Sequence, residues 1–186
     1  MEGFWMRKVV VALLALAAVA PLTAGTLADF SEGMGRVVTT SRYYTEQPVV
    51  SIVEDATAPN GKVLLAKLSG RKEGTKFARY DVVVKYSAEE AEKIREIAFD
   101  AKISSRKAFG GGVLYFFKAG RTPDYLGHTL PMAKFREGVW THVSFPVSSF
   151  KAAGKGLEMS ETRQLVITFF TFSPLEVSVA NITFAE

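Results

Sequence analysis

Beyond residue 27, hydrophobic and polar positions alternate with a period of two through much of the chain, the pattern of strands with one buried and one wet face. The clearest case is Phe77 to Tyr86, in which Tyr80, Val82, Val84 and Tyr86 share one face while Arg79, Asp81 and Lys85 share the other. Glu96 to Ile103 repeats the pattern, with Ile97, Phe99, Ala101 and Ile103 inward and Asp100 and Lys102 outward. Val49 to Val53 and Val63 to Leu68 are β-branched or aliphatic runs, and the turn chemistry of Ala58-Pro59-Asn60-Gly61 between them predicts an antiparallel pair. Leu165 to Phe172 and Val177 to Phe184 form the last two strands, around Ser173-Pro174. In Trp140 to Phe150, WTHVSFPVSSF, an alternating strand runs into Pro146, which cannot donate to a ladder, so this strand belongs at a sheet edge or corner.

Helix is scarce. Ser87-Ala88-Glu89-Glu90 has the spacing of a capping box ahead of good helix formers, and predicts one short helix. Gly110-Gly111-Gly112 predicts a flexible loop before VLYFFK, AGRTPDYLGH a second loop, and Lys151 to Lys155 a third. Short strands at fairly regular spacing, separated by turn residues, predict an all-β sandwich or barrel in place of an α/β fold.

The first residues follow a different logic. Arg7 and Lys8 precede an apolar run from Val9 to Val19, and the small residues of PLTAGTLA follow, the order of a secretory signal peptide. The run is shorter than the ~20 residues of a spanning helix. Cleavage is expected between Ala24 and Ala28, which divides the chain into a signal of 1–25 and a single domain of 26–186, destined for secretion or the periplasm without stable membrane insertion. The chain has no cysteine, so neither a lipid anchor on cysteine nor a disulfide supports it, and the core alone must hold the fold. With 48% hydrophobic and 12% aromatic residues it has the material for one. The formal net charge of +4 falls by one unit when Arg7, Lys8 and Glu2 leave with the signal. Basic residues scattered through RKEGTK, SSRK and FKAAGK form no stripe of the kind that binds nucleic acid; they read as solvated surface, with acidic polymers the other partner they would suit.

The order GVWTHVSFPVSSF, then LEMSETRQLVITFF, then LEVSVANITF resembles the galactose-binding-like jelly rolls. Within them it is similar to the group containing carbohydrate-binding modules of bacterial glycoside hydrolases and the complex I intermediate-associated protein domain. LADFSEG resembles that group's opening Asp-Phe-Glu, and NGKVLLAKLSG its Gly-x-x-Leu strand. The resemblance implies a jelly-roll β-sandwich of two antiparallel sheets. It also implies a structural calcium near the meeting of the termini, but Ala180 and Ser31 stand where the group often has aspartate and glutamate. With Asp29 and Glu32 alone nearby, no strong site and no other cofactor are expected.

Sugar recognition on such a fold needs exposed rings beside polar groups on a concave face. The candidate ligand-binding residues are Arg79, Asp81 and Asp100, placed on the polar faces of strands that look adjacent, with Tyr115, Tyr125, His128, Trp140 and His142 supplying rings and donors. Phe169, Phe170 and Phe172 put aromatics on both faces of one strand, the mark of a central strand or of a sticky surface for a protein partner. YFFKAG resembles a short motif of jelly-roll alginate lyases, but the arginine-rich and Gln-x-His motifs that accompany it there are missing. No nucleophile elbow or Ser-His-Asp order is present either, and no catalytic residue is assigned. The expected function is that of an exported, non-catalytic module binding a polysaccharide or oligosaccharide. The alternatives are a protein-interaction module of the cell envelope and, behind it, a polysaccharide lyase or glycosidase.

Overall fold

The computed structural model describes residues 24–118, 124–154 and 156–186. The expected signal therefore lies almost entirely outside the described residues. Among them, no helix is long and apolar enough to cross a membrane.

The strands are β1 (Ala24–Ala28), β2 (Val37–Arg42), β3 (Val49–Glu54), β4 (Lys62–Leu68), β5 (Ala78–Lys85), β6 (Glu96–Ile103), β7 (Phe109–Phe117), β8 (Tyr125–Thr129), β9 (Thr141–Pro146), β10 (Lys151–Ala153), β11 (Gln164–Thr171) and β12 (Leu175–Ala185), with the helix α1 (Ala88–Lys93) between β5 and β6. They form two antiparallel sheets. The first runs β3-β4-β12-β6-β9, with β1 also paired to β12; the second runs β10-β8-β7-β11-β5-β2.

The period-two pattern supplies the core. From the second sheet, Tyr80, Val82 and Val84 of β5, Leu165, Ile167 and Phe169 of β11, and Leu114 and Phe116 of β7 point inward and are buried. They meet Ile97, Phe99, Ala101 and Ile103 of β6 and Val177 and Val179 of β12. Each large side chain so placed contributes about 1.5–3 kcal/mol. On β12 the inward parity changes partway: Asn181 has a φ of 51°, and the ladder to β6 shifts between Ala180 and Thr183. Asparagine tolerates this left-handed backbone, and the bulge turns Ile182 and Phe184 toward the core in place of odd-numbered residues.

The capping box forms as expected. Ser87 Oγ accepts from the Glu90 backbone N–H at 3.1 Å and Glu90 accepts from the Ser87 backbone N–H at 2.7 Å. This helix carries the chain from β5 in one sheet to β6 in the other. Arg36 clamps it from the β1–β2 connection with a 2.7 Å ion pair to Glu90.

Pro146 does end an edge strand: β9 borders the first sheet, and Val143 and Phe145 are buried while His142 faces out. Phe150 follows a turn of 3-10 helix and packs on Phe116 with ring centroids 4.9 Å apart. The turn at Ser173-Pro174 joins different sheets, since β11 belongs to the second and β12 to the first.

Two expected loops are strand, and of the remaining one, AGRTPDYLGH, Tyr125 to His128 belong to β8 while 119–123 lie outside the described residues. Gly110, Gly111 and Gly112 lie inside β7, where a Cβ on Gly112 would stand 2.3 Å from the Thr168 carbonyl oxygen and 2.5 Å from Leu130. The glycine is there for close approach. Lys151 to Ala153 form β10, paired with Gly127, Leu126 and Tyr125 of β8.

Candidate functional site

The alternation that buries Tyr80, Val82 and Val84 pushes Arg79, Asp81, Val83 and Lys85 to the outer face of the second sheet. Strand pairing then sets their neighbours. Arg42 of β2 lies opposite Arg79, Thr40 opposite Asp81 and Val38 opposite Val83. Phe170, Thr168, Val166 and Gln164 of β11 flank them on the other side, and Tyr115 and Phe117 of β7 come next. Beyond β7 stand Gly127 and Tyr125 of β8, then Lys151 and Ala153 of β10.

This face is hollowed on both sides of the ring cluster. A depression of about 410 Å³ is lined by Thr40, Arg42, Arg79, Lys85, Phe117 and Gln164 among others. A second, of about 470 Å³, is lined by Tyr115, Tyr125, Thr129, Ser149 and Lys151 among others. Between them Tyr115, Phe117 and Tyr125 form a triangle with centroid separations of 5.0 to 5.7 Å, the two tyrosines meeting edge to face at 88°. The rings are partly exposed. The Arg79 guanidinium lies 5.8 Å from the Tyr115 ring centroid. Burial raises the Tyr115 hydroxyl above its usual pKa, with Arg79 acting in the opposite direction, so it remains a neutral donor at neutral pH.

Asp81 is the anchor of the face. It is buried and accepts from Arg79 Nε at 2.7 and 3.0 Å, from the fully buried Thr168 hydroxyl at 2.7 Å and from the Thr40 hydroxyl at 3.1 Å. With these bonds the carboxylate is nearly saturated, and it holds the Arg79 side chain flat along the sheet.

The sequence-predicted site residues divide between places. Arg79, Asp81, Tyr115 and Tyr125 come together on this face. Asp100 does not: β6 belongs to the first sheet, so Asp100 points out of the opposite side of the sandwich, because α1 separates β5 from β6 and strand alternation carries no information on sheet membership. There it accepts from His142 Nδ1 at 3.0 Å and from Asn181 Nδ2 at 3.3 Å. Trp140 belongs to that side too, its indole N–H donating to Thr57 Oγ1 at 3.1 Å and its ring lying 4.8 Å from the Lys102 ammonium. His128 is among the residues lining the second depression, with its ring 4.7 Å from Phe145 and 5.4 Å from Phe150. Of the three phenylalanines, Phe169 is fully buried, Phe170 packs on Phe77 at 4.6 Å and Phe172 is exposed at the turn after β11.

Phe117, Arg42, Lys85, Thr40, Gln164 and Lys151 were missed as site residues. Phe117 had a usable signal, standing two residues from Tyr115 on the same strand face. Lys151 was grouped with solvated surface and an expected loop; β10 places it at the rim of the second depression.

The calcium implied by the resemblance does not fit the residues present. Asp29 already accepts from the Ser31 N–H and hydroxyl at 3.0 and 2.8 Å, which hold its carboxyl below the usual range. The backbone carbonyls of Asp29 and Ser31 accept from Asn60 Nδ2 at 2.6 Å and from the Lys62 ammonium at 3.0 Å, so a cation is already at this turn. Among the described residues no three acidic or histidine side chains converge.

No protein-family model matches the chain, and no curated protein matches it in sequence. Solved structures do match. A family 11 carbohydrate-binding module from Clostridium thermocellum, in complex with a β-1,3-1,4-mixed-linked tetrasaccharide, superposes with a TM-score of 0.63 at 15% identity, over 89% of this chain and 96% of that one. The chain has a jelly-roll β-sandwich fold. A family 30 carbohydrate-binding module of a Clostridium thermocellum cellulosomal cellulase shares this jelly roll with a TM-score of 0.55 at 14% identity, over 87% of this chain and 96% of that one. So does TmCBM61 in complex with β-1,4-galactotriose, with a TM-score of 0.55 at 9% identity, over 87% of this chain and 99% of that one.

Proposed function

We propose that the protein is an exported, non-catalytic carbohydrate-binding module whose ligand lies across the outer face of the second sheet. The observation that carries this is the partly exposed triangle of Tyr115, Phe117 and Tyr125 between two depressions rimmed by hydrogen-bonding side chains. Flat apolar rings with polar groups at their margins suit pyranose rings, whose faces are apolar and whose edges carry hydroxyls. The jelly-roll relatives in complex with a tetrasaccharide and a galactotriose support the same class of ligand. Catalysis is not favoured: Asp81 and Asp100 face opposite sides of the sandwich, and each is engaged by its own neighbours.

Among the described residues the exposed large apolar side chains are Val38, Tyr43, Val49, Val139 and Phe172, distributed over both sheets and three connections, so a protein-docking patch is not favoured either. Export follows from the N-terminal signal. Cleavage belongs at the early end of its expected window, because β1 pairs from Ala24 to Ala28 with β12 and Leu27 is buried in the core. N-terminal sequencing of the exported protein should find Thr26 and Leu27 retained.

Affinity electrophoresis over a panel of neutral and anionic polysaccharides tests the proposal. Retention on at least one, weakened about tenfold or more by Tyr115→Ala with Tyr125→Ala, is the expected result. Absence of retention on every polysaccharide would refute it.

A further inference from the structure

The charge of the candidate face narrows the ligand, given the carbohydrate-binding function proposed above. Four cationic side chains line the two depressions: Arg42, Arg79 and Lys85 in one and Lys151 in the other. The one carboxylate among the lining residues is Asp81, already occupied by Arg79, Thr168 and Thr40. Arg42, Lys85 and Lys151 are exposed and form no ion pair among the described residues. They are also spread out. Arg79 and Lys85 are six positions apart on β5, about 20 Å at ~3.3 Å per residue, and Lys151 lies four strands across the sheet from β5, about 19 Å at ~4.8 Å per strand.

Hydrogen-bonding capacity points the same way. A neutral sugar presents hydroxyls that both donate and accept, so a site for it needs acceptors as well as donors. Lysine and arginine only donate, and the carboxylate of this face is nearly saturated. The face therefore has a surplus of charged donors and few free strong acceptors, complementary to a ligand rich in anionic acceptors.

We propose that the ligand is an anionic polysaccharide, its carboxylate or sulfate groups paired with Arg42, Lys85 and Lys151 while its rings rest on Tyr115, Phe117 and Tyr125. Isothermal titration of the purified protein with polygalacturonate, with chondroitin sulfate and with neutral mixed-linkage β-glucan, each at 20 and 300 mM NaCl, tests this. The expected result is at least tenfold preference for one of the two polyanions, which identifies the anionic group, with affinity falling at least fivefold at the higher salt. Arg42→Ala with Lys85→Ala should lower that affinity at least tenfold at an unchanged Tm. Lys67→Ala with Lys93→Ala, which removes the same charge elsewhere, should leave it within twofold.

Equal losses in both double variants would mean attraction to net charge alone and would overturn the assignment to this face. Tighter, salt-independent binding of the neutral glucan would overturn the anionic ligand while leaving the carbohydrate function standing. Failure of all three to bind, extended to the wider panel, would remove both.

Discussion

The two outer faces of the sandwich carry similar residue types and use them differently. On the first sheet the polar groups are turned on one another: Lys102 pairs with Asp55, Trp140 donates to Thr57, Asp100 takes His142 and Asn181, and Lys67 lies 3.8 Å from Glu176. On the second sheet one carboxylate is satisfied deep in the face, while three cations and a cluster of partly exposed rings are left facing solvent around two hollows. Aromatic and charged residues alone therefore do not mark a site. What distinguishes the second face is that Arg42, Lys85 and Lys151 form no ion pair among the described residues and its rings stand at the ridge of a depression.

The sharpest way to break this contrast is to remove the buried carboxylate from each face. Asp81→Ala leaves the fully buried Thr168 hydroxyl and Arg79 without their acceptor, and should cost about 3 kcal/mol in chemical denaturation. Asp100→Ala frees a His142 side chain that is already 60% exposed and should cost about 1 kcal/mol. Equal costs would mean that the two faces are built alike. Exchange of rings gives the next effect. Trp140→Ala should lower stability by about 1 kcal/mol through the lost Thr57 bond and packing, and leave glycan affinity within twofold. Loss of affinity would place the ligand on the wrong side of the sandwich.

Much of the architecture was legible because it rests on local physics. Period-two patterning placed Tyr80, Val82 and Val84 inside, Ser87 and Glu90 formed the expected cap, and Pro146 ended an edge strand. Gly110 to Gly112 misled because glycine is used both for loops and for close approach, and the Thr168 carbonyl that demands Gly112 lies on a strand distant in sequence. The candidate site was half legible for the same reason. Arg79, Asp81 and Lys85 share a strand, so alternation put them on one face; Arg42 and Lys151 lie on strands distant in sequence until pairing gathers them. Asp100 was misplaced because adjacency in the chain was taken for adjacency in a sheet.

Acid titration sharpens the contrast at a smaller scale. Hydrogen bonds from Lys102 and Thr57 lower the Asp55 carboxyl from 3.8 to about 2. A depressed folded-state pKa contributes stability that is complete above the unfolded value and is lost as pH falls through the folded one. The stability difference between wild type and Lys102→Met should therefore be about 1 kcal/mol at pH 6, shrink below about pH 4 and be lost only below about pH 2. A difference independent of pH would mean that Lys102 acts through packing on Trp140. The smallest effect concerns metal: with Lys62 at the turn, excess EDTA should move Tm by less than about 1 °C, whereas a bound calcium would make it fall by several degrees.

The most direct test is residue-resolved. In ¹⁵N–¹H NMR titration of the purified protein with the glycan best retained in the panel, amide shifts should concentrate on β5, β7, β8 and β11, with Arg79, Tyr115 and Tyr125 among those moving most. The amides of Asp100, Trp140 and His142 should stay in place. Shifts centred on β6 and β9, with the second sheet unmoved, would contradict the assignment of the binding face.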